Sequence, residues 1–156
     1  MRVLAIDPGP LQTGYALMNG LEVERFGIEK NPTILAFLCS CGGDGRYPDL
    51  MAYEMVSCFG MPVGAEVFDT CVWIGRFIER FMAESKPVFR RDVKHHLCNS
   101  AKAKDGNIRQ AIIDKYPPIG GGKTPQIGTK AQPGPLFGIT SHVWPAIGVG
   151  LTVQGL

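Results

Sequence analysis

The sequence predicts a single α/β domain built on a five-stranded mixed sheet, with its first three strands antiparallel and with helices on both faces. Three observations support this prediction. The 156 residues are about the length of one domain. Apolar residues make up 45% and charged residues 19% of the chain, as in ordinary globular proteins. The order of strand-like and helix-like segments, βββαβαβαα, places antiparallel hairpins first and parallel crossovers later.

The predicted strands are short apolar segments bounded by turn residues. Asn19-Gly20 is an efficient two-residue hairpin signal between the second and third of them. The strands are residues 2–7 (RVLAID), 14–20 (GYALMNG), 21–29 (LEVERFGIE), 50–56 (LMAYEMV) and the short pair 88–89 (VF).

Helical periodicity is clearest between residues 62 and 84, where Val67, Cys71, Ile74 and Ile78 recur at helical spacing. Further apolar residues widen this stripe, so we expect the helix to be largely buried. The other predicted helices are 33–41, ending at Gly42-Gly43; 90–98, of one or two turns; about 102–116; and a C-terminal helix from Ser141 or Pro145.

Residues 117–135 (PPIGGGKTPQIGTKAQPGP) are rich in Gly and Pro, which predicts a flexible basic surface loop within the domain of residues 1–156. The loop nearly spells a phosphate-binding motif, but Pro117 occupies the first glycine position and a helix precedes it. We therefore exclude a nucleotide-binding loop. The cysteines and histidines lack zinc-binding spacing, and the odd number of cysteines, five, favours reduced thiols.

Charge is distributed unevenly along the chain. Residues 1–84 carry 6 basic and 11 acidic side chains, whereas residues 85–130 carry 10 basic and 3 acidic ones. A basic segment beside an acidic one suits a protein that holds a polyanion by its phosphates and presents carboxylates to it through a cation. A solvated helical surface gives the same pattern, so both interpretations stay open.

Two acids stand where strand periodicity alone would not place them. Asp7 ends a buried strand, and Glu54 lies among apolar residues in LMAYEMV. Burying either carboxylate unpaired costs several kcal/mol, and a shared Mg²⁺ or Mn²⁺ would compensate for both. The alternative is that Asp7 caps the Pro-Gly turn and Glu54 pairs with a basic residue.

Three motifs together resemble the RuvC-type Holliday junction resolvases of the ribonuclease H-like superfamily, and phage-encoded members most of all. They are LAIDPGPLQTGYAL, then AYEMV after a three-strand meander, then SHVW at the start of the C-terminal helix. The resemblance spans residues 2 to about 152 and implies a ribonuclease H-like fold. It also implies that Asp7 and Glu54 bind Mg²⁺, with Mn²⁺ able to substitute.

In that family the C-terminal helix supplies the remaining metal ligands. His142 matches the first of them, whereas Pro145 stands where the final Asp belongs, and no acid follows Asp114. The resemblance therefore implies a site of Asp7, Glu54 and His142. Asp105 could be recruited instead, although its segment matches one that contacts DNA in the family. A histidine bonded locally at a helix start is the alternative for His142. Since proline is tolerated only in the first helical turn, the helix must begin within a few residues of His142, which lets the imidazole point toward Asp7.

The activity that the resemblance implies is phosphodiester hydrolysis by a metal-activated water, with two cations about 3.5 to 4 Å apart. The resemblance also implies a homodimer that nicks opposing strands of a four-way DNA junction. Because no apolar run is long enough for a membrane helix and the N-terminus has no basic leader followed by an apolar segment, we expect a cytosolic protein, of a bacterium or a phage-infected cell. The helix 62–84 is one possible dimer interface. Phe59 is either a wedge against a base step or a core residue. The candidate DNA-binding residues are Lys102, Lys104, Arg109, Arg90, Arg91, Lys94, Phe59, Lys123 and Lys130.

Other functions are consistent with parts of this pattern. The first strand also resembles the actin-like and sugar-kinase ATPases, but those chains are far longer. An RNA-processing nuclease of the same superfamily shares the opening motif. A module that binds branched DNA and has weak or no catalytic activity is favoured by Pro145.

Overall fold

The computed structural model describes residues 1–40, 46–58 and 60–156, and these contain five strands and five helices. None of these helices combines the length and apolar character needed to cross a membrane. In chain order the elements are β1 (Arg2–Pro8), β2 (Gln12–Asn19), β3 (Glu22–Lys30), α1 (Asn31–Cys39), β4 (Leu50–Met55), α2 (Ala65–Arg80), β5 (Glu84–Phe89), α3 (Arg90–Cys98), α4 (Asp105–Asp114) and α5 (Val143–Gln154).

The five strands form one mixed sheet in the order β3-β2-β1-β4-β5. The β1–β2 and β2–β3 pairs are antiparallel, whereas β1–β4 and β4–β5 are parallel. This arrangement confirms the predicted mixed sheet with three antiparallel strands first.

Helices cover both faces of the sheet, as predicted. On β1, Val3 and Ala5 face a core formed with α3, α4 and α5, and Leu4 and Ile6 face a second core formed with α1 and α2. Because successive side chains of a strand point to opposite faces, the fully apolar run of β1 is explained by its burial on both sides.

The prediction that the helix 62–84 is largely buried is wrong. The helix is α2, which is shorter, and only Thr70, Ile74 and Phe77 of it are buried. Phe68 and Val72 are each 61% exposed. The helix packs on the sheet through one face, so the additional apolar residues that widened the predicted stripe lie on the solvent side.

The structure also lengthens the fifth strand and shows hydrogen bonds within the loop of residues 117–135. β5 begins at Glu84, within the segment predicted as helix, because it pairs with the whole of β4. In the loop, Gly120 N donates to Pro125 O, and Gly134 N donates to Ile127 O. Gly128 bridges to Pro133. The glycines of this loop allow close backbone contacts, and its flexibility stays a prediction from composition.

Candidate active site

The strand register places Asp7 and Glu54 side by side. The parallel strands β1 and β4 pair Ile6 with Tyr53, so Asp7 and Glu54 are the next residues of the two strands. Ala5 and Ala52, two residues earlier, face the core under α3, α4 and α5. Asp7 and Glu54 therefore point to that same face of the sheet.

Gly14 and His142 extend this row of side chains. Gly14 on β2 is paired with Asp7, and a Cβ atom at Gly14 would lie 2.3 Å from the backbone oxygen of His142. The missing side chain lets the start of α5 approach the strand. Ser141, with φ +37°, holds the left-handed conformation that turns the chain toward this position.

His142 contacts the carboxylate of Asp7. Its Nδ1 lies 3.0 Å from Asp7 Oδ2, so the ring nitrogen donates and the carboxylate accepts. The first helical residue after it is Val143, which confirms that Pro145 fixes the start of α5 close to His142. The partner of His142 is distant in sequence, which contradicts the alternative of a locally bonded histidine.

The turn after Asp7 is closed by other groups. Gly9 N donates to Gln12 O at 3.0 Å. The buried Asn31 donates from Nδ2 to Gly9 O at 2.9 Å and accepts from Thr13 Oγ1 at 2.7 Å. Since the backbone and Asn31 stabilise this turn, the turn does not require the Asp7 carboxylate as a cap.

Burial raises the pKa of both carboxyl groups. For Asp7, burial outweighs the hydrogen bond with His142 and the charges of His142 and Arg90, which lower the pKa. For Glu54, burial and the charge of Asp7 raise the pKa to about 7, against the opposing effect of Arg90. Each side chain is 18% exposed. The pair therefore carries negative charge that the protein compensates only in part.

Arg90, the first residue of α3, is the cation nearest to Glu54 among the described contacts. Its Nη1 lies 3.5 Å from Glu54 Oε2, and its Nη2 lies 2.5 Å from Asp105 Oδ1. The alternative that Glu54 pairs with a basic residue is thus met in part. The distance between Arg90 and Glu54 is long, and Arg90 also binds a second acid, which agrees with the raised pKa of Glu54.

A chain of cavities joins the acids to the basic surface. One of about 410 Å³ is lined by Asp7, His142 and the β1–β2 turn. One of about 450 Å³ is lined by Asp7, Glu54 and Arg90. A third, of about 310 Å³, adjoins Arg90, Asp105, Arg109 and Pro145, and a fourth, of about 250 Å³, adjoins Arg90, Arg91 and Lys94. Asp7 borders the first two, and Arg90 borders the last three.

The structure brings some of the predicted site residues together and leaves others apart. One group is connected by direct contacts or shared cavities and consists of Asp7, Glu54, His142, Asp105 and Arg90. Arg109 stacks over the Trp144 ring at 4.8 Å, at the same third cavity. Phe59 lies outside the described residues. The remaining candidates for DNA contact on α4, its preceding turn and the loop are exposed: Lys102, Lys104, Lys123 and Lys130.

The side chains of this site can be assessed as ligands for a metal ion. In the described ranges no group of three or more His, Cys, Asp and Glu side chains is arranged to hold a metal ion. Asp7 and Glu54 are hard oxygen donors whose charge is only partly compensated, which suits one divalent cation completed by ligands from outside the chain. Pro145 borders the same cavity as Asp105, whose side chain is 84% exposed.

Three residues with a positioning role were not predicted: Gly14, Asn31 and Ser141. For Gly14 a signal exists, because an isolated glycine inside an apolar strand often marks a close backbone approach. For Asn31 and Ser141 the sequence gives no such signal, since their roles depend on contacts and backbone angles set by distant segments.

We predict that Gly14→Ala separates His142 from Asp7. The added Cβ atom meets backbone, which cannot rotate away, so the free energy of unfolding should fall by about 1–3 kcal/mol. Chemical denaturation measures this change, and the NMR signals of the His142 ring report its displacement.

Gly106→Ala is the matched control, because Gly106 lies in α4 and a Cβ atom there meets open space. It should leave stability unchanged or raise it by up to about 1 kcal/mol. Equal effects of the two substitutions would contradict the role of Gly14.

We predict that Glu54→Gln removes a pH-dependent loss of stability. The pKa of Glu54 in the folded chain, about 7, exceeds its ordinary value of 4.5. The wild-type protein should therefore be most stable below pH 4.5 with respect to this group, and lose about 3 kcal/mol as the pH rises to 7 and above. Glu54→Gln should show a flatter profile in denaturant titrations with a chelator present.

The exposed Glu29 provides the control for this experiment. Glu29→Gln removes the same charge at the end of β3 and should keep the wild-type profile. A Glu54→Gln profile that also matches the wild type would contradict the burial of an uncompensated carboxyl group.

Comparison with known proteins relates this arrangement to a known fold. No protein-family model and no curated protein sequence matches the chain. The structure of Thermus thermophilus RuvC matches with a TM-score of 0.66 and 16% identity, covering 99% of this chain and 94% of that one. T. thermophilus RuvC in complex with a Holliday junction substrate matches with a TM-score of 0.69 and 16% identity, covering 99% and 93%. The chain therefore has the RuvC fold, with the ribonuclease H-like architecture that the sequence motifs imply.

Proposed function

We propose that this protein is a structure-selective endonuclease that cuts Holliday junctions or other branched DNA by metal-dependent phosphodiester hydrolysis. The observation that carries the proposal is the adjacent pair Asp7 and Glu54, buried at the ends of parallel strands beside His142. The pair occurs in a fold shared with RuvC, of which one structure contains a Holliday junction.

Asp7 and Glu54 are the residues that would hold the cation, Mg²⁺ or in its place Mn²⁺. Such an ion lowers the pKa of water and neutralises charge on a phosphate oxygen. In the hydrolysis, the water oxygen bonds to phosphorus as the bond to one sugar oxygen breaks. The water loses a proton, and the leaving oxygen gains one.

Residues of the chain itself would orient the reacting groups. The Nδ1–H of His142 holds one oxygen of Asp7 in place, leaving the ring's Nε2 to act as the ligand that the resemblance implies. Asp105 remains a further candidate ligand, once it is released from Arg90.

The basic surface next to the acids would bind the DNA backbone. The cavity of Arg90, Arg91 and Lys94 adjoins that of Asp7 and Glu54 through Arg90. Arg109 adds a cation beside Asp105. Contacts from such residues to phosphates position a duplex without reading its sequence. Lys102, Lys104, Lys123 and Lys130 would extend this surface.

A homodimer would let two sites cut two strands of one junction. The exposed face of α2 supports this part of the proposal. Phe68 and Val72 lie one helical turn apart and are each 61% exposed, and Gly75 on the same face has open space around it. An apolar helix face of this kind can pair with its own copy about a twofold axis.

A second function is a branched-DNA-binding module with weak or no catalytic activity. It is favoured by Pro145, which leaves α5 without an acid, and by the engagement of Asp105 with Arg90. The two proposals differ in cleavage and agree in binding.

We predict that the wild-type protein nicks a synthetic four-way junction in Mg²⁺ or Mn²⁺, and that Asp7→Asn and Glu54→Gln reduce the rate by more than about a hundredfold. The amide side chains keep the shape of each residue and remove the charge that binds the cation. Gel assays of cleavage and of junction binding measure both effects.

Binding of the junction should be retained by both variants. If all three proteins bind equally and the wild type cuts nothing, the binding module is the correct function. Equal cutting of a linear duplex would remove the junction selectivity, and preferential cutting of RNA would favour an RNA-processing nuclease.

We predict that Phe68→Asp together with Val72→Asp converts a dimer to a monomer. A buried charge at an apolar interface is strongly unfavourable, whereas at exposed positions it leaves the fold intact. Light scattering after gel filtration measures the mass, and circular dichroism checks the fold.

Leu21→Asp is the control, since Leu21 is an exposed apolar residue in the β2–β3 turn. This variant should remain a dimer. A wild-type chain that is monomeric at concentrations where it cuts junctions would refute the homodimer.

A further inference from the structure

The guanidinium of Arg90 lies among three carboxylates. Two different nitrogens are used, Nη1 toward Glu54 at 3.5 Å and Nη2 toward Asp105 at 2.5 Å. Asp7 lines the same cavity as Glu54 and Arg90. The side chain is only 24% exposed. Arg90 thus bridges two acids that approach from β4 and α4, in the manner of a metal ion.

The remaining donors do not complete a second cation site. In a two-cation site the ions lie about 3.5 to 4 Å apart and stabilise the attacking and the leaving oxygen, so each ion needs donors of its own. Within the described part of the chain no cluster of three metal-binding side chains exists, and α5 contributes Pro145 to the cavity of Arg90 and Asp105. The Asp105 carboxylate is already bound to Arg90.

The balance of charge leads to the same conclusion. Asp7, Glu54 and Asp105 carry three negative charges when ionised, and Arg90 carries one positive charge. A guanidinium stays protonated at any physiological pH, so the charge of Arg90 is permanent. The remaining two negative charges match a single divalent cation.

We propose that the site holds one divalent cation, at Asp7 and Glu54, and that the Arg90 guanidinium supplies the second positive charge beside the scissile phosphate. The inference rests on the proposed nuclease function and departs from the two-cation arrangement that the resemblance implies. Arg90 borders the cavity of Asp7 and Glu54. A guanidinium has five donors in a planar array, and it can bind phosphate oxygens with some while others keep an acid.

The number of bound ions tests the first half of the inference. Mn²⁺ is titrated into the full-length wild-type protein and followed by calorimetry and by electron paramagnetic resonance. We expect one ion per chain and a mononuclear spectrum. Two ions per chain, or the exchange-coupled spectrum of a Mn²⁺ pair, would overturn the inference.

Variants of Arg90 test the second half. Arg90→Ala should still bind one or more Mn²⁺ ions, because the carboxylates remain, yet cut the junction about a hundredfold more slowly. Millimolar guanidinium ions should restore part of that rate, and Arg90→Lys should lie between the wild type and Arg90→Ala. Thermal unfolding checks that each variant is folded. The control is Arg91→Ala, which removes the neighbouring charge and should bind as many Mn²⁺ ions as the wild type.

Each other outcome counts against the inference. An Arg90→Ala protein that cuts at the wild-type rate would show that the guanidinium has no catalytic part, and one that binds no Mn²⁺ would show that Arg90 only maintains the metal site. If neither added guanidinium ions nor Arg90→Lys gives a cleavage rate above that of Arg90→Ala, the positive charge at this position has no role in cleavage. An active wild-type protein with two ions would overturn this inference and leave the nuclease function intact. A wild-type protein with one ion and no cleavage would overturn the nuclease function and the role of Arg90 in it.

Discussion

The repulsion between two neighbouring buried carboxylates is the constraint on which the rest of this site depends. Asp7 and Glu54 are adjacent because β1 and β4 are parallel and in register. The burial of both, and the charge of Asp7 on Glu54, raise the pKa of Glu54 to about 7. If these positions served stability alone, apolar residues at the ends of β1 and β4 would make the fold more stable. The acids are therefore explained by the divalent cation that we propose for this site.

The position of α5 shows how the fold serves this pair. The helix is buried on nearly all sides, so packing against the sheet fixes it tightly. Its start reaches Asp7 only because Gly14 has no side chain and Ser141 adopts a positive φ. A left-handed conformation costs a non-glycine residue roughly 1–2 kcal/mol. The core of α5 thus sustains local strain that orients His142.

Most of the sheet could be predicted because strands depend on local periodicity. The central acids could be predicted because they lie in motifs that occur in a characteristic order along the chain. Asp7, Glu54 and His142 were predicted together and do lie together. The exposed face of α2 was not predicted, since periodicity identifies an apolar stripe and does not say how wide a surface the sheet offers it. Arg90 was assigned to DNA because its partners, Glu54 and Asp105, are 36 and 15 residues away.

In the proposed nuclease, Arg90 would also connect the binding of DNA with the charge of the two acids. It borders the cavity of Asp7 and Glu54, the cavity of Asp105 and Pro145, and the cavity of Arg91 and Lys94. In the proposed complex, a phosphate between the basic residues and the acids would bind guanidinium donors that face Glu54, while the donors that face Asp105 keep that acid. Glu54 would then lose its partial partner, and its charge would become available to the proposed divalent cation. DNA binding and cation binding should therefore strengthen each other through this one side chain.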